Sequence, residues 1–363
     1  FKWERFCKEK NITILSSNYP LYGDMSARVM NILAEFSPEV EVYSIDESFL
    51  KLDGFEKYDL AEYATKMRSR VLKWTGIPTC VGIAPTKALC KVANKIARSN
   101  LKQSKGICII DSEENRIKAL KWTKIGNVWG IGRRLKKRLL AKGCTTAWDF
   151  TQLPSDWVLK NLSVVLWRLQ KDLQGISKIP IEGISSKKMI ATTRSFEHAY
   201  EDLEDIKERV STFAARGAEK LRKQQSSCHM LIVQLSSDRF QTTLPQHSAS
   251  KTIVFSYPTD STLVIANAAV AAIKMIYKKG IKYKRAGVIV AGLVPNDNFQ
   301  LNLFTHENPK HKPLMAAIDG LNKKFKTDKI KLGNQDLKRT WKMRQNRLSS
   351  KFTTNIKEII TVK

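Results

Sequence analysis

From Gln174 to Lys188 the sequence loses regular apolar spacing and carries Gly175, Pro180, Gly183 and the polar run Ser185-Ser186-Lys187-Lys188. Apolar periodicity resumes on both sides of this break, so the chain must bury at least two separate cores. Its 363 residues suit that division, because a domain takes roughly 100 to 200 residues. Beyond the break, alternation predicts strands over 189–196, 229–235, 251–256 and 285–293. Helical spacing of Leu203, Ile206, Val210, Phe213, Ala214 and Leu221, and of 263–278, predicts two helices between them. The order is β-α-β-β-α-β, a ferredoxin-like module.

Before the break, residues 41–52 read as two short strands meeting at Asp46-Glu47, with Val, Ile, Tyr and Phe on either side. Leu60, Tyr63, Ala64, Met67 and Val71 place an amphipathic helix over 59–74 with Asp59 as N-cap. A strand over 79–84, a helix over 86–99 and a strand over 106–111 complete a β-α-β-α-β order. That order predicts one sheet covered by helices on one face. From 112 to 175 the pattern is helical, and Gly130-Ile131-Gly132 opens a helix carrying Arg133, Arg134, Lys136, Lys137 and Arg138. A Gly-x-Gly turn at a helix start leaves backbone N–H groups free for a phosphate, as in a helix-hairpin-helix. Trp148, Trp157 and Trp167 read as core residues.

Charge narrows the partners. Lys and Arg number 63 against 34 Asp and Glu, a net +29. Such an excess points to a polyanion, with nucleic acid ahead of a membrane surface. Residues 1–100 are nearly balanced, with 15 basic and 12 acidic side chains, so the excess lies further along. The most apolar stretch, 263–277, is broken by Asn267 and Lys274 and is too short to span a bilayer. No apolar segment of a signal peptide follows Phe1. Six cysteines without a C-x-x-C spacing read as reduced structural thiols, which predicts a cytoplasmic protein.

Adjacent carboxylates in a turn between strands can both face one hard cation, and Mg²⁺ takes oxygen ligands with substrate phosphates completing its shell. Two such ions clamp an in-line phosphoryl displacement. An isolated Asp-Glu pair equally suits a solvated turn; the residues around it carry the distinction. Tyr43-Ser44-Ile45-Asp46-Glu47-Ser48-Phe49-Leu50-Lys51-Leu52-Asp53-Gly54 closely resembles the catalytic palm hairpin of Y-family translesion DNA polymerases. Val81-Gly82-Ile83-Ala84-Pro85-Thr86-Lys87-Ala88-Leu89-Cys90-Lys91-Val92-Ala93-Asn94 is similar to that family's next palm strand and helix. The segment from Val128 to Arg134 resembles its thumb, and Thr193-Arg194-Ser195-Phe196 the entry to its little finger. The agreement runs in order from about Ile12 to Lys363.

The resemblance implies an α+β multidomain chain: a partial palm (1–111), a helical thumb with the helix-hairpin-helix (112–175) and a linker (176–188). A ferredoxin-like little finger (189–295), a clamp-binding loop (296–308) and a basic C-terminal extension (309–363) follow. It implies error-prone translesion synthesis in the SOS response, with Asp46 and Glu47 as catalytic residues and ligands of Mg²⁺, two ions being expected in the complete enzyme. The third family carboxylate, an Asp on the first palm strand, is expected N-terminal to Phe1. Asp24 is a nearby substitute that reads better as the N-cap of a helix from Met25. Arg98 and Lys95 fall where the family meets the triphosphate, and they equally suit a solvated helix end. Gly130, Ile131, Gly132, Arg133, Arg134, Lys137 and Arg194 are implied DNA contacts, and Gln300, Leu301, Asn302, Leu303 and Phe304 a sliding-clamp peptide. Implied partners are primed and damaged DNA, dNTP, the clamp, a UmuD-type accessory subunit docking on the tail and a recombinase filament, with no membrane. Two rivals remain: a DNA- and clamp-binding protein lacking a complete metal site, and a weaker helix-hairpin-helix glycosylase reading, for which no catalytic Asp or Lys follows the hairpin.

Overall fold

The computed structural model describes residues 3–183, 186–296, 308–325, 328–335, 337 and 345–361. Two units emerge. The first comprises Phe1–Ile184 together with Gln345–Lys363, the second Ser185–Arg344.

In the first unit, α1 (Glu4–Glu9) precedes α2 (Tyr19–Ala34), whose N-cap is Asn18, followed by a proline in the first turn. Asp24 therefore lies inside α2 and pairs with Arg28 at 2.9 Å, which corrects the expected helix start at Met25. β1 (Val40–Val42) and β2 (Ser48–Leu50) pair antiparallel and place Asp46-Glu47 in the connecting turn. α3 (Leu60–Thr75) starts where the sequence predicts, with the Asp59 carboxylate accepting from the Ala61 and Glu62 amides at 2.8 and 3.1 Å. It stops at Gly76, in the left-handed conformation at φ +72°. β3 (Val81–Ile83), α4 (Lys87–Ser99), α5 (Leu101–Ser104) and β4 (Ile107–Ile109) follow, and β3 pairs parallel with β4.

Among the described residues the four strands form two separate two-stranded pieces, not the single sheet expected. Short pairs of this kind are marginal alone and hold through the helices packed on them. Val29, Ile32, Phe36, Met67 and Val71 of α2, α3 and the segment between α2 and β1 form one small core. A larger one runs without interruption from Ala88 and Leu89 of α4 to Leu173. It takes in α6 (Glu113–Trp122), α7 (Arg133–Ala141), α8 (Ala147–Thr151), α9 (Ser155–Asn161) and α10 (Val164–Leu173). Trp148, Trp157 and Trp167 pack against this core, as expected of them.

The second unit is β5 (Met189–Tyr200), α11 (Leu203–Lys223), β6 (Ser226–Ser237), β7 (Ser248–Thr259), α12 (Thr262–Ile276) and β8 (Tyr283–Pro295). The element order is the expected β-α-β-β-α-β. The strand order, β5-β8-β6-β7 with antiparallel neighbours throughout, corrects the ferredoxin-like assignment. The last strand fills the gap between the parallel first and second strands, where a ferredoxin-like sheet places the third. Apolar faces of α11 and α12 close over one side of the sheet, burying Val210, Phe213, Leu231, Ile265, Ile273 and Val288. The basic C-terminal extension supplies α13 (His311–Lys324) to this unit, with Met315 buried and Asp319 held by Arg222 at 2.6 and 2.8 Å.

All six cysteines are free. Burial pushes the Cys90 thiol up to about 11 and that of Cys228 up to about 12. Alkylation of either at pH 8 is expected to run more than about a hundredfold slower than that of an unhindered thiol, because the thiolate is the nucleophile. Mass-spectrometric labelling kinetics on the folded chain check this. A second expectation concerns Gly82, where an added Cβ would fall 2.2 Å from the Asn94 backbone nitrogen and 2.5 Å from the Cys90 carbonyl oxygen. Gly82→Ala should cost about 1–3 kcal/mol by forcing β3 away from α4, read as a lower urea midpoint for the first unit.

Candidate active site

The β1–β2 turn closes on one carbonyl: the Tyr43 and Ser44 amides both donate to the Glu47 backbone oxygen, at 3.1 and 3.0 Å. Ser44 Oγ donates to Asp46 Oδ1 at 2.5 Å, fixing that carboxylate, while Asp46 and Glu47 both face solvent. Beside the turn runs α4. Lys87, Lys91, Lys95 and Arg98 fall within an arc of about 80° on that helix, opposite its apolar face of Leu89, Ala93 and Ala97.

The first two cations of this stripe are held by the hairpin. Lys87 Nζ donates to both oxygens of Glu41 at 2.8 and 2.6 Å, with the two side chains 8 and 10% exposed, and lies 4.8 Å from the centre of the Phe49 ring. Glu41 also accepts from the Glu182 amide at 2.8 Å, and Lys87 donates to the Pro180 carbonyl at 3.1 Å. Neighbouring Asp172, fully buried, accepts from the Lys178 and Ile179 amides at 2.7 and 3.1 Å. One turn along α4, Lys91 meets Glu47 at 2.5 Å and lies 5.4 Å from the centre of the Tyr43 ring. Lys95 and Arg98 have no ion-pair partner among the described residues, and partial burial pulls the Lys95 ammonium below the usual lysine range.

These two pairs differ in kind. A desolvated pair with further hydrogen bonds is costly to break, whereas a pair as exposed as Lys91–Glu47 contributes at most about 1 kcal/mol. Glu47 can therefore exchange its ammonium for another cation while Glu41 cannot. Asp46 and Glu47 suit Mg²⁺ as a partial set, since that ion binds through one or two carboxylates plus substrate phosphates. Among the described residues no group of three or more His, Cys, Asp or Glu gathers to complete a metal site.

The Gly-x-Gly turn lies next to the hairpin. Trp129 Nε1 donates to the Tyr43 hydroxyl at 2.9 Å, and the two rings meet edge-on at 5.7 Å. Val128 and Ile131 are buried anchors, Gly130 takes φ +82°, and Gly132 starts α7 without a side-chain cap. Arg133, Arg134 and Lys137 are exposed and have no ion-pair partner among the described residues. Arg194 is exposed on the helix-covered side of edge strand β5, aligned with Ile190, Thr192 and Phe196. Burial first, and then the Arg194 charge, hold the Lys220 ammonium of α11 below its usual range. On the open side of the sheet the nearby cation is Arg285, facing Thr193 Oγ1 at 3.4 Å, which the sequence analysis did not single out. Gln300, Leu301, Asn302, Leu303 and Phe304 lie outside the described residues. Among the described residues no helix is long and apolar enough to cross a membrane.

Sequence reasoning also passed over Glu41, Lys87 and Lys91. The available signal was the i, i+4 spacing of the two lysines on the polar face of α4. Lys87→Met is expected to destabilise the first unit by about 3–5 kcal/mol by stranding Glu41, and Glu41→Gln with Lys87→Met to recover part of that loss, both read by urea unfolding.

Residues 1–95 match the impB/mucB/samB family, 187–303 the impB/mucB/samB family C-terminal domain, and 312–362 a domain of unknown function, DUF4113. Protein UmuC of Salmonella typhimurium is 34% identical over 368 residues, covering 100% of this chain and 87% of that protein. Protein ImpB of Salmonella typhimurium is 35% identical over 97% of this chain and 84% of its own length. DNA polymerase IV 2 of Bacillus subtilis is 26% identical over 89% and 78%. Among solved structures, a Y-family DNA polymerase chimera of Dbh and Dpo4 superposes with a TM-score of 0.62 at 22% identity, covering 77% of this chain and 78% of the chimera, which shows the shared fold. Family models matching on both sides of the linker and relatives more than 30% identical along nearly the whole chain place this protein in the impB/mucB/samB family, alongside UmuC.

Proposed function

We propose that this chain is a DNA-directed DNA polymerase performing error-prone translesion synthesis in the SOS response, joining a dNTP to a primer 3′ hydroxyl opposite a damaged template. The observation that carries the reading is the exposed Asp46-Glu47 turn set against the α4 stripe. UmuC and the polymerase IV relatives support the reaction class. Asp46 and Glu47 would hold Mg²⁺, which when bound supplies activation of the attacking oxygen and neutralises charge on the leaving pyrophosphate. Ser44 fixes the Asp46 carboxylate before substrate arrives. Glu47 would give up its pair with Lys91 to hold the cation, which would leave the Lys91 ammonium, with Lys95 and Arg98 on the same face of α4, to bind the triphosphate. Arg98 can make a bidentate phosphate contact, which a lysine there could not reproduce.

Gly130 and Gly132 would offer backbone N–H groups, with Ile131, whose own N–H is taken by the Val128 carbonyl at 3.1 Å, anchoring the turn between them, and Arg133, Arg134 and Lys137 would offer charge to the phosphates of the primed duplex. In the second unit Arg194 and, on the opposite side of the sheet, Arg285 would be separate phosphate contacts. Phosphate contacts carry little sequence information, so distorted templates are accepted. Gln300 to Phe304 would engage a sliding clamp, inserting Leu303 and Phe304 as apolar anchors. The C-terminal extension would dock a UmuD-type accessory subunit, with a recombinase filament as a further partner and the cytoplasm as the compartment. No specific observation favours the binding-only alternative.

The complete gene product is expected to extend a primer past an abasic site when supplied with Mg²⁺ and dNTPs. Asp46→Ala and Glu47→Ala should each lower the rate on the order of a hundredfold or more while leaving the circular dichroism spectrum unchanged. An undiminished rate in either variant would overturn the assignment.

A further inference from the structure

The C-terminal extension divides between the two units. α13 belongs to the second, whereas Gln345–Lys363 belongs to the first, more than 300 residues away in sequence from the segment it contacts. That segment is Ser16-Ser17-Asn18. Ser16 and Leu348 form a parallel β-bridge, the Ser16 amide donates to the Arg347 carbonyl at 2.7 Å, and the Arg347 amide returns a bond to Ser16 Oγ at 3.2 Å. Gln345 Nε2 donates to the Ser17 carbonyl at 3.2 Å. Asn18 is fully buried, although it belongs to none of the hydrophobic cores.

The Asn18 amide is saturated by this arrangement. Its Nδ2 donates to the Ser349 carbonyl at 3.1 Å, to Ser349 Oγ at 3.1 Å and to the Ser350 carbonyl at 3.4 Å, while its Oδ1 caps α2 through the Leu21 amide at 3.4 Å. Further along, Thr353 bonds Asp24 of α2, and this contact is the largest cause holding that carboxyl below its usual range. The seated segment also has internal order of its own, because Glu358 accepts from the Lys351 amide at 2.7 Å and from Asn355 Nδ2 at 2.6 Å.

We propose that Ser16-Ser17-Asn18 is a binding site for an extended peptide, that its occupant is the chain's own segment from Gln345 to Ser350, and that this contact is a latch withholding the C-terminal segment from the accessory subunit. The last clause rests on the docking role proposed above. The recognition chemistry is backbone pairing plus one buried carboxamide, the mode by which an added strand is read. The contact is polar, and none of Phe352, Ile356, Ile359 and Ile360 enters a core; they are 41, 83, 53 and 67% exposed. Such a contact opens locally without unfolding the unit beneath it. Opening frees the backbone groups of 347–350 and leaves them next to those exposed apolar side chains, so one peptide offers a partner both pairing and anchors.

Two substitutions in the full chain separate the latch from the cap. Asn18→Asp keeps an acceptor for the Leu21 amide but sets a carboxylate against the Ser349 and Ser350 carbonyls. Ser349→Val alters only the peptide side. In hydrogen-exchange mass spectrometry, both should speed exchange of amides 347–355 at least tenfold, independently of protein concentration, while α2 and primer extension stay as in the wild type. Association with immobilised UmuD-type dimer should quicken severalfold in both. Unchanged exchange at 347–355 overturns the site, and exchange that depends on protein concentration overturns the intramolecular occupant in favour of a second copy. A freed segment with an unchanged association rate overturns the latch. Absence of any association, with exchange responding as expected, refutes the docking role and leaves the peptide site standing.

Discussion

The ion pair between Lys87 and Glu41 sets the geometry on which the first unit depends. It joins the start of α4 to strand β1 in a desolvated setting where neither charge has an alternative partner of comparable strength. Glu41 and Asp172 also collect the backbone amides of Lys178, Ile179 and Glu182, so the chain leaving α10 is fastened to the same point. α4 thereby serves two purposes. Its apolar face enters the long core that reaches Leu173, and its charged face fixes the hairpin that displays Asp46 and Glu47.

Graded burial along that charged face separates structure from chemistry. Lys87 is locked, Lys91 is paired in a more exposed setting, and Lys95 and Arg98 form no ion pair among the described residues. A cation held weakly can be traded for a metal or a phosphate, whereas one held by desolvation cannot. The aromatic contact of Tyr43 with Trp129 adds the Gly-x-Gly turn to the same scaffold. The candidate chemistry and the candidate phosphate grip are thus built on one packed cluster within one unit.

The second unit follows a different logic. A four-stranded sheet covered by helices on one side leaves its other side open, and Arg285 there is a point charge on an otherwise largely neutral surface near Gln234, Ser236 and Ser250. The C-terminal extension serves both units, giving α13 to one and a hydrogen-bonded segment to the other. No single periodicity could have announced that role, because the two halves bury different amounts of apolar surface.

Local rules recovered much of this. Asp59 as a cap, the strands around Asp46-Glu47, α4 and the β-α-β-β-α-β order all follow from side-chain period and from hydrogen bonds made within a few residues, which are properties of sequence alone. The ordered motifs added the family. What the sequence did not supply were relations between distant residues. The strand order β5-β8-β6-β7, the separation of the first-unit strands into two pairs, the Lys87–Glu41 pair and the contact of Asn18 with Ser349 each join positions tens to hundreds of residues apart. Asp24 shows the same limit at short range: its own capping propensity favoured a helix start, but Asn18 and the proline after it begin the helix earlier. Period and capping are decided by neighbours along the chain, whereas pairing and burial are decided by whichever surfaces the folded backbone brings together, and only the tertiary structure holds that information.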